Sequence, residues 1–138
     1  MKLFIAFLRL SIADRRLAIE ALGAVLSARV GLHVVGIERL RRWASRPGTS
    51  AASIARIVWA IDAVSRRVPG ATCLVYSLAL QRLLSRHGHV SELHIGVAKQ
   101  SGILAAHAWI VCEGDRFDGK GESETHARLL AWRAAGPG

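Results

Sequence analysis

The chain has 138 residues, 51% of them apolar, which excludes an intrinsically disordered protein and favours one domain with a substantial core. The 19 Lys and Arg, mostly arginine, exceed the 10 Asp and Glu and give a net charge of +9. This balance suits an anionic partner, but the arginines are spread along the chain with few aromatics between them. We therefore expect a generally basic surface. Charge alone does not decide the partner, but no groove-reading motif accompanies it, so no nucleic acid is expected among the partners. Two cysteines without a CxxC pair exclude a disulfide scaffold and favour the reducing cytoplasm.

The first residues are apolar but lack the features of a targeting signal. Arg9 interrupts the apolar run over residues 1–8, and no Ala-x-Ala cleavage site follows. The longest apolar segment, residues 17–37, contains charged residues and is expected to fall short of a transmembrane span. Peripheral membrane contact by this segment stays open as an alternative.

Apolar periodicity predicts helices in the first half of the chain. Residues 1–12 are expected to be strand-like or frayed, and Asp14 is expected to cap a long helix that begins at Arg15. Its apolar residues recur at intervals of three and four: Leu17, Ala21, Ala24, Val25, Ala28, Leu32 and Val35. Further helices are predicted over residues 37–44 and 51–68, with a Pro-Gly loop between them.

The next helix is predicted to begin at Cys73 and to end near Arg86. Pro69 and Gly70 end the preceding helix, and Thr72 is a plausible N-cap. A cysteine in the first helical turn faces free N–H groups and the positive end of the helix dipole, which favour the thiolate. Cys73 is therefore a candidate nucleophile, with a small core residue as the alternative.

Beyond residue 89 the apolar period changes from 3.6 to 2, which predicts strands. We expect strands over residues 93–97, 103–112 and 116–118, followed by a helix over residues 122–132. Helices followed by an antiparallel meander make the fold class α+β, with a nucleophile-bearing helix packed on a small antiparallel sheet.

A thiol nucleophile needs a base and a residue that orients the base. His107 lies on the central predicted strand among small residues that would let a helix end approach. Asp118 shares a sheet face with His107 in two hairpin registers, and in one it lies opposite Trp109, diagonal to His107. Asp115 and Glu122 are rival candidates for the orienting residue. Cys112 faces away from His107 and is expected to be a core residue.

Three segments together resemble one family. They are the runs Ala71-Thr-Cys-Leu-Val-Tyr-Ser-Leu-Ala-Leu-Gln-Arg-Leu-Leu84, His89-Val-Ser-Glu-Leu-His-Ile-Gly-Val97 and Ala106-His-Ala-Trp-Ile110. The chain is similar over residues 15–120 to the stand-alone B proteins of lasso-peptide biosynthesis. These are leader peptidases of the transglutaminase-like cysteine protease superfamily.

The resemblance implies a single peptidase domain over residues 1–138, with a helical extension at 15–45 and a catalytic core at 51–132. It implies a triad of Cys73 as nucleophile, His107 as base and acid, and Asp118 as orienting residue. We expect no cofactor and no metal. The implied partners are a precursor peptide as substrate, a small separate leader-recognition protein and an ATP-dependent cyclase.

Two other functions stay open at this point. The same triad serves acyl transfer in true transglutaminases, and a basic helical module would bind nucleic acid or an anionic membrane without catalysis. His87, His89 and His94 could suggest a metal site, but no HExxH motif accompanies them, and they are expected to be surface and strand residues.

Overall fold

The computed structural model describes residues 2–100, 102–118 and 127–133, and their architecture is α+β, as predicted. The helices are α1 (Lys2–Arg9), α2 (Ile12–Val34), α3 (Ile37–Ala44), α4 (Ile54–Ser65) and α5 (Cys73–Arg86). The strands are β1 (Glu92–Gln100), β2 (Ile103–Cys112), β3 (Asp115–Phe117) and β4 (Ala127–Arg133). They form one antiparallel sheet in the order β3-β2-β1-β4.

The predicted long helix is α2, but it begins three residues earlier than expected. Its N-cap is Ser11, whose hydroxyl accepts a hydrogen bond from the Asp14 N–H at 3.1 Å, so the assignment of Asp14 as the cap was wrong. The Asp14 carboxylate instead accepts a bond from Arg56 Nε of α4 at 3.0 Å. The buried side of α2 follows the predicted period: Leu17, Ala21, Ala24, Val25 and Ala28.

Residues 2–9 form helix α1, where the sequence predicted a strand-like or frayed segment. Phe7 and Leu10 line an apolar cavity of about 310 Å³ together with Trp59 and Ala60 of α4. Arg15 fixes the corner between α1 and α2 by donating hydrogen bonds to the carbonyl oxygens of Leu8 and Leu10. The segment Lys2–Arg9 is itself amphipathic at the helical period, and these contacts stabilise the helix that its sequence favours.

Helix α5 lies between the helical layer and the sheet. It contacts α2, α3 and α4 on one side and β2 on the other. Leu78, Leu80 and Leu84 are fully buried in the cluster that also holds Ala108 and Ile110 of β2. This packing uses the sheet face of Ala108 and Ile110, which by strand alternation is the face opposite to His107.

The hairpin between β2 and β3 sets the position of Asp118. Cys112 pairs with Asp115 and Ile110 pairs with Phe117, so the same register places Asp118 level with Trp109. Glu113 and Gly114 form the turn with φ of 51° and 83°, the positive values that a two-residue hairpin of type I′ requires. Of the two registers that the sequence allowed, this is the one in which Asp118 lies opposite Trp109.

The C-terminal segment was predicted to be a helix, and that prediction was wrong over the described residues. Residues 127–133 form strand β4, which pairs with β1 and has a register shift between Ile95 and Gly96. The segment is rich in Ala, Leu and Arg, which favour helices locally. Pairing with the free edge of β1 overrides this preference. Residues 119–126 lie outside the described part of the chain.

Two histidines attach the loop before α4 to the end of α5. His87 Nδ1 accepts a hydrogen bond from the Ala52 N–H at 2.9 Å, and its Nε2 lies 3.2 Å from Glu20 Oε2. His89 Nε2 bonds to the Ala52 carbonyl at 2.8 Å. His87 is buried, so the expectation of a surface residue was wrong. These contacts explain why α4 begins at Ile54 and not at Ala51.

Candidate active site

Cys73 is the first residue of α5, as the sequence predicted. Thr72 is the N-cap, and its hydroxyl accepts a hydrogen bond from the Val75 N–H at 3.3 Å. Gly70 has φ of 78°, a left-handed conformation that glycine adopts without strain, and it turns the chain into the cap. The Cys73 thiol is partly buried. It therefore lies at the end of the helix where free N–H groups and the dipole favour an anion.

A cavity of about 250 Å³ opens beside Cys73. Its wall combines the start of α5, the end of α4 and the residue after β3: Asp62, Ser65, Arg66, Ala71, Thr72, Cys73, Tyr76 and Asp118. The Ser65 hydroxyl is buried without a hydrogen-bond partner among the described residues. Most of these groups can donate or accept hydrogen bonds, so the cavity is suited to a polar segment such as a peptide.

Tyr76 connects α5 to α4 at this cavity. Its hydroxyl donates a hydrogen bond to Asp62, and burial, followed by this bond and the charges of Asp62 and Asp118, raises the pKa of Tyr76. The phenol therefore stays protonated across the physiological range and acts as a donor. It lies one helical turn after Cys73, so its position shapes the space in front of the thiol.

Asp118 is the residue shared by the cavity and the predicted base. Its carboxylate lines the cavity with Cys73, and its Oδ2 lies 3.6 Å from His107 Nε2. This is an ion-pair distance, longer than a hydrogen bond. Arg116 Nη2 lies 3.6 Å from the same carboxylate oxygen. Asp118 and His107 are both buried, so their mutual contact takes place away from bulk water.

The structure does not bring the other two candidates for the orienting residue to His107 within the described residues. Asp115 pairs with Cys112 in the hairpin, which places it on the sheet face opposite to His107, and its side chain is exposed. Glu122 lies outside the described residues. Of the two aspartates, the structure brings Asp118 to His107.

Aromatic and cationic groups surround His107 on its sheet face. Trp109 stacks between the rings of His107 and His94, with centroid distances of 6.2 Å and 5.7 Å. The Arg116 guanidinium lies over the Trp109 ring at 4.3 Å from its centroid, in a cation–π contact. His94, expected from sequence to be a surface or strand residue, is a buried residue of strand β1 in this stack and lies 3.5 Å from Glu92. The stack limits the orientations that the His107 ring can take.

Cys112 is a core residue, as its strand parity predicted. Its thiol donates to the Val90 carbonyl at 3.5 Å, and burial, followed by the charges of Glu113 and Asp115, raises its pKa. No group of three His, Cys, Asp or Glu within the described residues is arranged to hold a metal ion.

Sequence reasoning missed three members of this site: Tyr76, Asp62 and Arg116. Tyr76 had a signal, because residues three apart on a helix share a face and Cys73 was already singled out. Asp62 and Arg116 had no local signal in the sequence. Asp62 reaches the cavity only through the packing of α4 on α5, and Arg116 reaches Asp118 only through the register of the hairpin.

The comparisons with known proteins agree with this architecture. A model of the transglutaminase-like superfamily matches residues 19–131, which includes α5, the described strands β1 to β3 and most of β4. No curated protein and no solved structure matches the chain.

Proposed function

Because the chain belongs to the transglutaminase-like superfamily, whose fold is typical of cysteine peptidases and acyltransferases, we propose that it is a cysteine peptidase. In this proposal it removes the leader peptide from a lasso-peptide precursor. The observation that carries the peptidase assignment is the position of Asp118, which lines the cavity of Cys73 and contacts His107. The lasso-peptide substrate is supported by the three sequence segments that resemble the B proteins.

The proposed reaction begins with attack of the Cys73 thiolate on the carbonyl carbon at the leader–core junction. The Cys73 N–H, at the first position of α5, would help to hold the oxyanion. His107 would accept the thiol proton and deliver it to the departing amine of the core peptide. A thioester between Cys73 and the leader remains at that stage.

Water completes the proposed reaction. His107 would take a proton from water as the oxygen attacks the thioester, and Cys73 would leave as thiolate. The products are a leader with a free carboxylate and a core peptide with a free amine. Asp118, next to the imidazole, would stabilise the imidazolium that forms in both steps.

The proposal includes two partner proteins that the similarity to the B proteins implies. A small separate protein would present the leader, and an ATP-dependent cyclase would use the core amine that cleavage releases. The polar cavity next to Cys73 would receive the substrate side chain beside the scissile bond.

Mass spectrometry of a candidate precursor tests this function, with the leader-binding partner present and wild type run beside Cys73→Ala. The proposal predicts scission at one leader–core bond by wild type alone. Equal cleavage by both proteins would contradict Cys73 as nucleophile. An added primary amine separates the two superfamily activities, since transfer of the acyl group to that amine without hydrolysis would identify an acyltransferase.

A further inference from the structure

Helix α2 exposes a continuous apolar stripe along its whole length. Six aliphatic side chains between 42% and 82% exposed form it: Ile12, Ile19, Leu22, Leu26, Val30 and Val34. Most of them recur at intervals of three and four, and together they occupy a sector roughly 120° wide on a helix of 3.6 residues per turn. We call these six residues the outer stripe. The opposite side of α2 is buried in the core, so the helix is apolar on two sides.

The length and composition of α2 are those of a helix that could cross a bilayer, so the expectation that its charges would forbid this was too strict. The fold nevertheless uses its inner side. Leu17, Ala21 and Ala28 pack in the common core with α4 and α5. The outer stripe is therefore exposed on a helix that is already fixed within the domain.

The charges around the stripe are sorted by sign. Asp14 and Glu20 are the acidic residues of segment 2–37, and both form ion pairs with inner elements. Asp14 pairs with Arg56 of α4, and Glu20 pairs with Arg86 and His87 at the end of α5. Neither carboxylate is directed to the outer stripe on a helical wheel.

Of the five Lys and Arg residues in the same segment, four lie outside, and the half-buried Arg15 bonds to the carbonyl oxygens of Leu8 and Leu10. Lys2, Arg9, Arg16 and Arg29 are all exposed, and a helical wheel places Arg16 and Arg29 at opposite margins of the outer stripe. Helix α1, fixed to α2 by Arg15, adds three exposed apolar side chains: Phe4, Ile5 and Leu8. An apolar helix face with cationic margins and internally paired acids is the pattern of helices that lie on anionic bilayers.

We infer that the outer stripe of α2 binds the surface of an anionic phospholipid bilayer. The stripe enters the boundary between headgroups and acyl chains, and the exposed cations Lys2, Arg9 and Arg16 contact lipid phosphates. A second copy of the chain fits this face less well, because two stripes pressed together would bring like charges into contact. This inference stands independently of the proposed peptidase activity.

Co-sedimentation with vesicles tests the inference, using mixed phosphatidylglycerol and phosphatidylcholine beside phosphatidylcholine alone. We expect the full chain to partition onto the anionic vesicles, and we expect the partition to weaken as NaCl rises from about 0.05 M to about 0.5 M. The double variant Leu26→Glu/Val30→Glu should lower partition more than about tenfold. The matched control is Ile103→Glu, which changes an exposed aliphatic residue of β2 in the same way.

A second variant keeps the apolar stripe and changes the charge. Arg9→Glu/Arg16→Glu should lower partition onto anionic vesicles to a similar extent, and circular dichroism should show each variant folded. Three results would overturn the inference: no binding of wild type to anionic vesicles, equal binding of wild type and both variants, or a stable dimer that Leu26→Glu/Val30→Glu dissociates. The last result would assign the stripe to self-association.

Discussion

Cys73 and Cys112 show how position changes the chemistry of the same side chain. Cys73 is partly buried at a helix N-terminus and borders the cavity, whereas Cys112 is buried in the core on the opposite side of strand β2 from His107. Burial raises the pKa of Cys112 and disfavours its thiolate. The two thiols therefore differ in access, and Cys112 is in addition held protonated by its burial.

This difference predicts selective alkylation. Near neutral pH, iodoacetamide should modify Cys73 at least about tenfold faster than Cys112, because only exposed thiolate reacts at an appreciable rate. Peptide mapping by mass spectrometry at short reaction times measures both rates in one sample. Faster modification of Cys112, or equal rates in the folded protein, would contradict the assignment of the two cysteines.

Tyr76 is expected to be a structural donor in the wall of the cavity. Its hydroxyl bonds to Asp62, so Tyr76→Phe should lower the free energy of unfolding by about 1–3 kcal/mol by leaving a carboxylate without this partner. The raised pKa of Tyr76 keeps the bond intact as the pH rises, so the loss should be constant between about pH 6 and pH 9.

Urea denaturation measures that loss, and Asp62→Asn is the control because an amide oxygen still accepts the bond. Asp62→Asn should therefore cost less than Tyr76→Phe. If Tyr76→Phe has the stability of wild type, the bond does not contribute to the fold.

At the scale of elements, the start of α5 depends on one cap. Thr72→Ala removes the side-chain acceptor of the Val75 N–H and should lower the free energy of unfolding by about 1 kcal/mol. Thr72→Ser keeps the hydroxyl and should remain close to wild type. Equal stability of Thr72→Ala and wild type in urea denaturation would show that another group satisfies this end of the helix.

The bond between α2 and α4 predicts a pH dependence. The hydrogen bond from Arg56, followed by that from Ser11, holds the pKa of Asp14 below its ordinary value of 3.8. A lowered folded-state pKa contributes stability above the unfolded pKa, and that stability is lost as the pH falls through the folded value. Asp14→Asn should therefore be less stable than wild type at neutral pH, and the difference should disappear in acid.

Thermal melts of the two proteins between about pH 7 and pH 2.5 measure this difference. Glu38→Gln is a matched control, since Glu38 is an exposed carboxylate that pairs with Arg41 of the same helix. A stability difference between wild type and Asp14→Asn that persists at the lowest pH would contradict the role of the ionised pair.

The elements also show what a sequence can predict here. The cap at Thr72, the period of α5 and the alternation in β2 are local signals, and the structure agrees with each of them. Residues 127–133 were predicted wrongly because their conformation depends on a distant partner, the free edge of β1. Residues 2–9 were predicted wrongly although the segment is amphipathic at the helical period.

The candidate site likewise combines residues with a local sequence signal and residues that only tertiary packing brings together. The sequence predicted Cys73 from local motifs, and side-chain parity reduced the position of Asp118 to two registers. The turn at Glu113 and Gly114 selects between those registers. The Tyr76–Asp62 bond joins two helices, so it depends on tertiary packing that no local pattern reports.

At the scale of the whole molecule, the cavity beside Cys73 and the outer stripe of α2 are built from different elements. The core of α2, α4 and α5 positions the first turn of α5, and the hairpin brings Asp118 to the cavity that Cys73 lines. The outer stripe lies on the side of α2 opposite to its buried residues, and Arg29 at one margin of the stripe reaches Gly70, next to the cavity-lining Ala71.

In the proposed triad Cys73, His107 and Asp118 act as one unit, and the alkylation rate of Cys73 at about pH 6 tests this without any substrate. An ordinary thiol, with a pKa of about 8.5, is less than about 1% thiolate there. We expect His107→Ala and Asp118→Asn each to slow the alkylation of Cys73 at least about tenfold. In Asp115→Asn, Cys73 should be alkylated at the wild-type rate. A wild-type rate of Cys73 alkylation in Asp118→Asn would contradict the triad. So would a loss of rate in Asp115→Asn equal to that in Asp118→Asn.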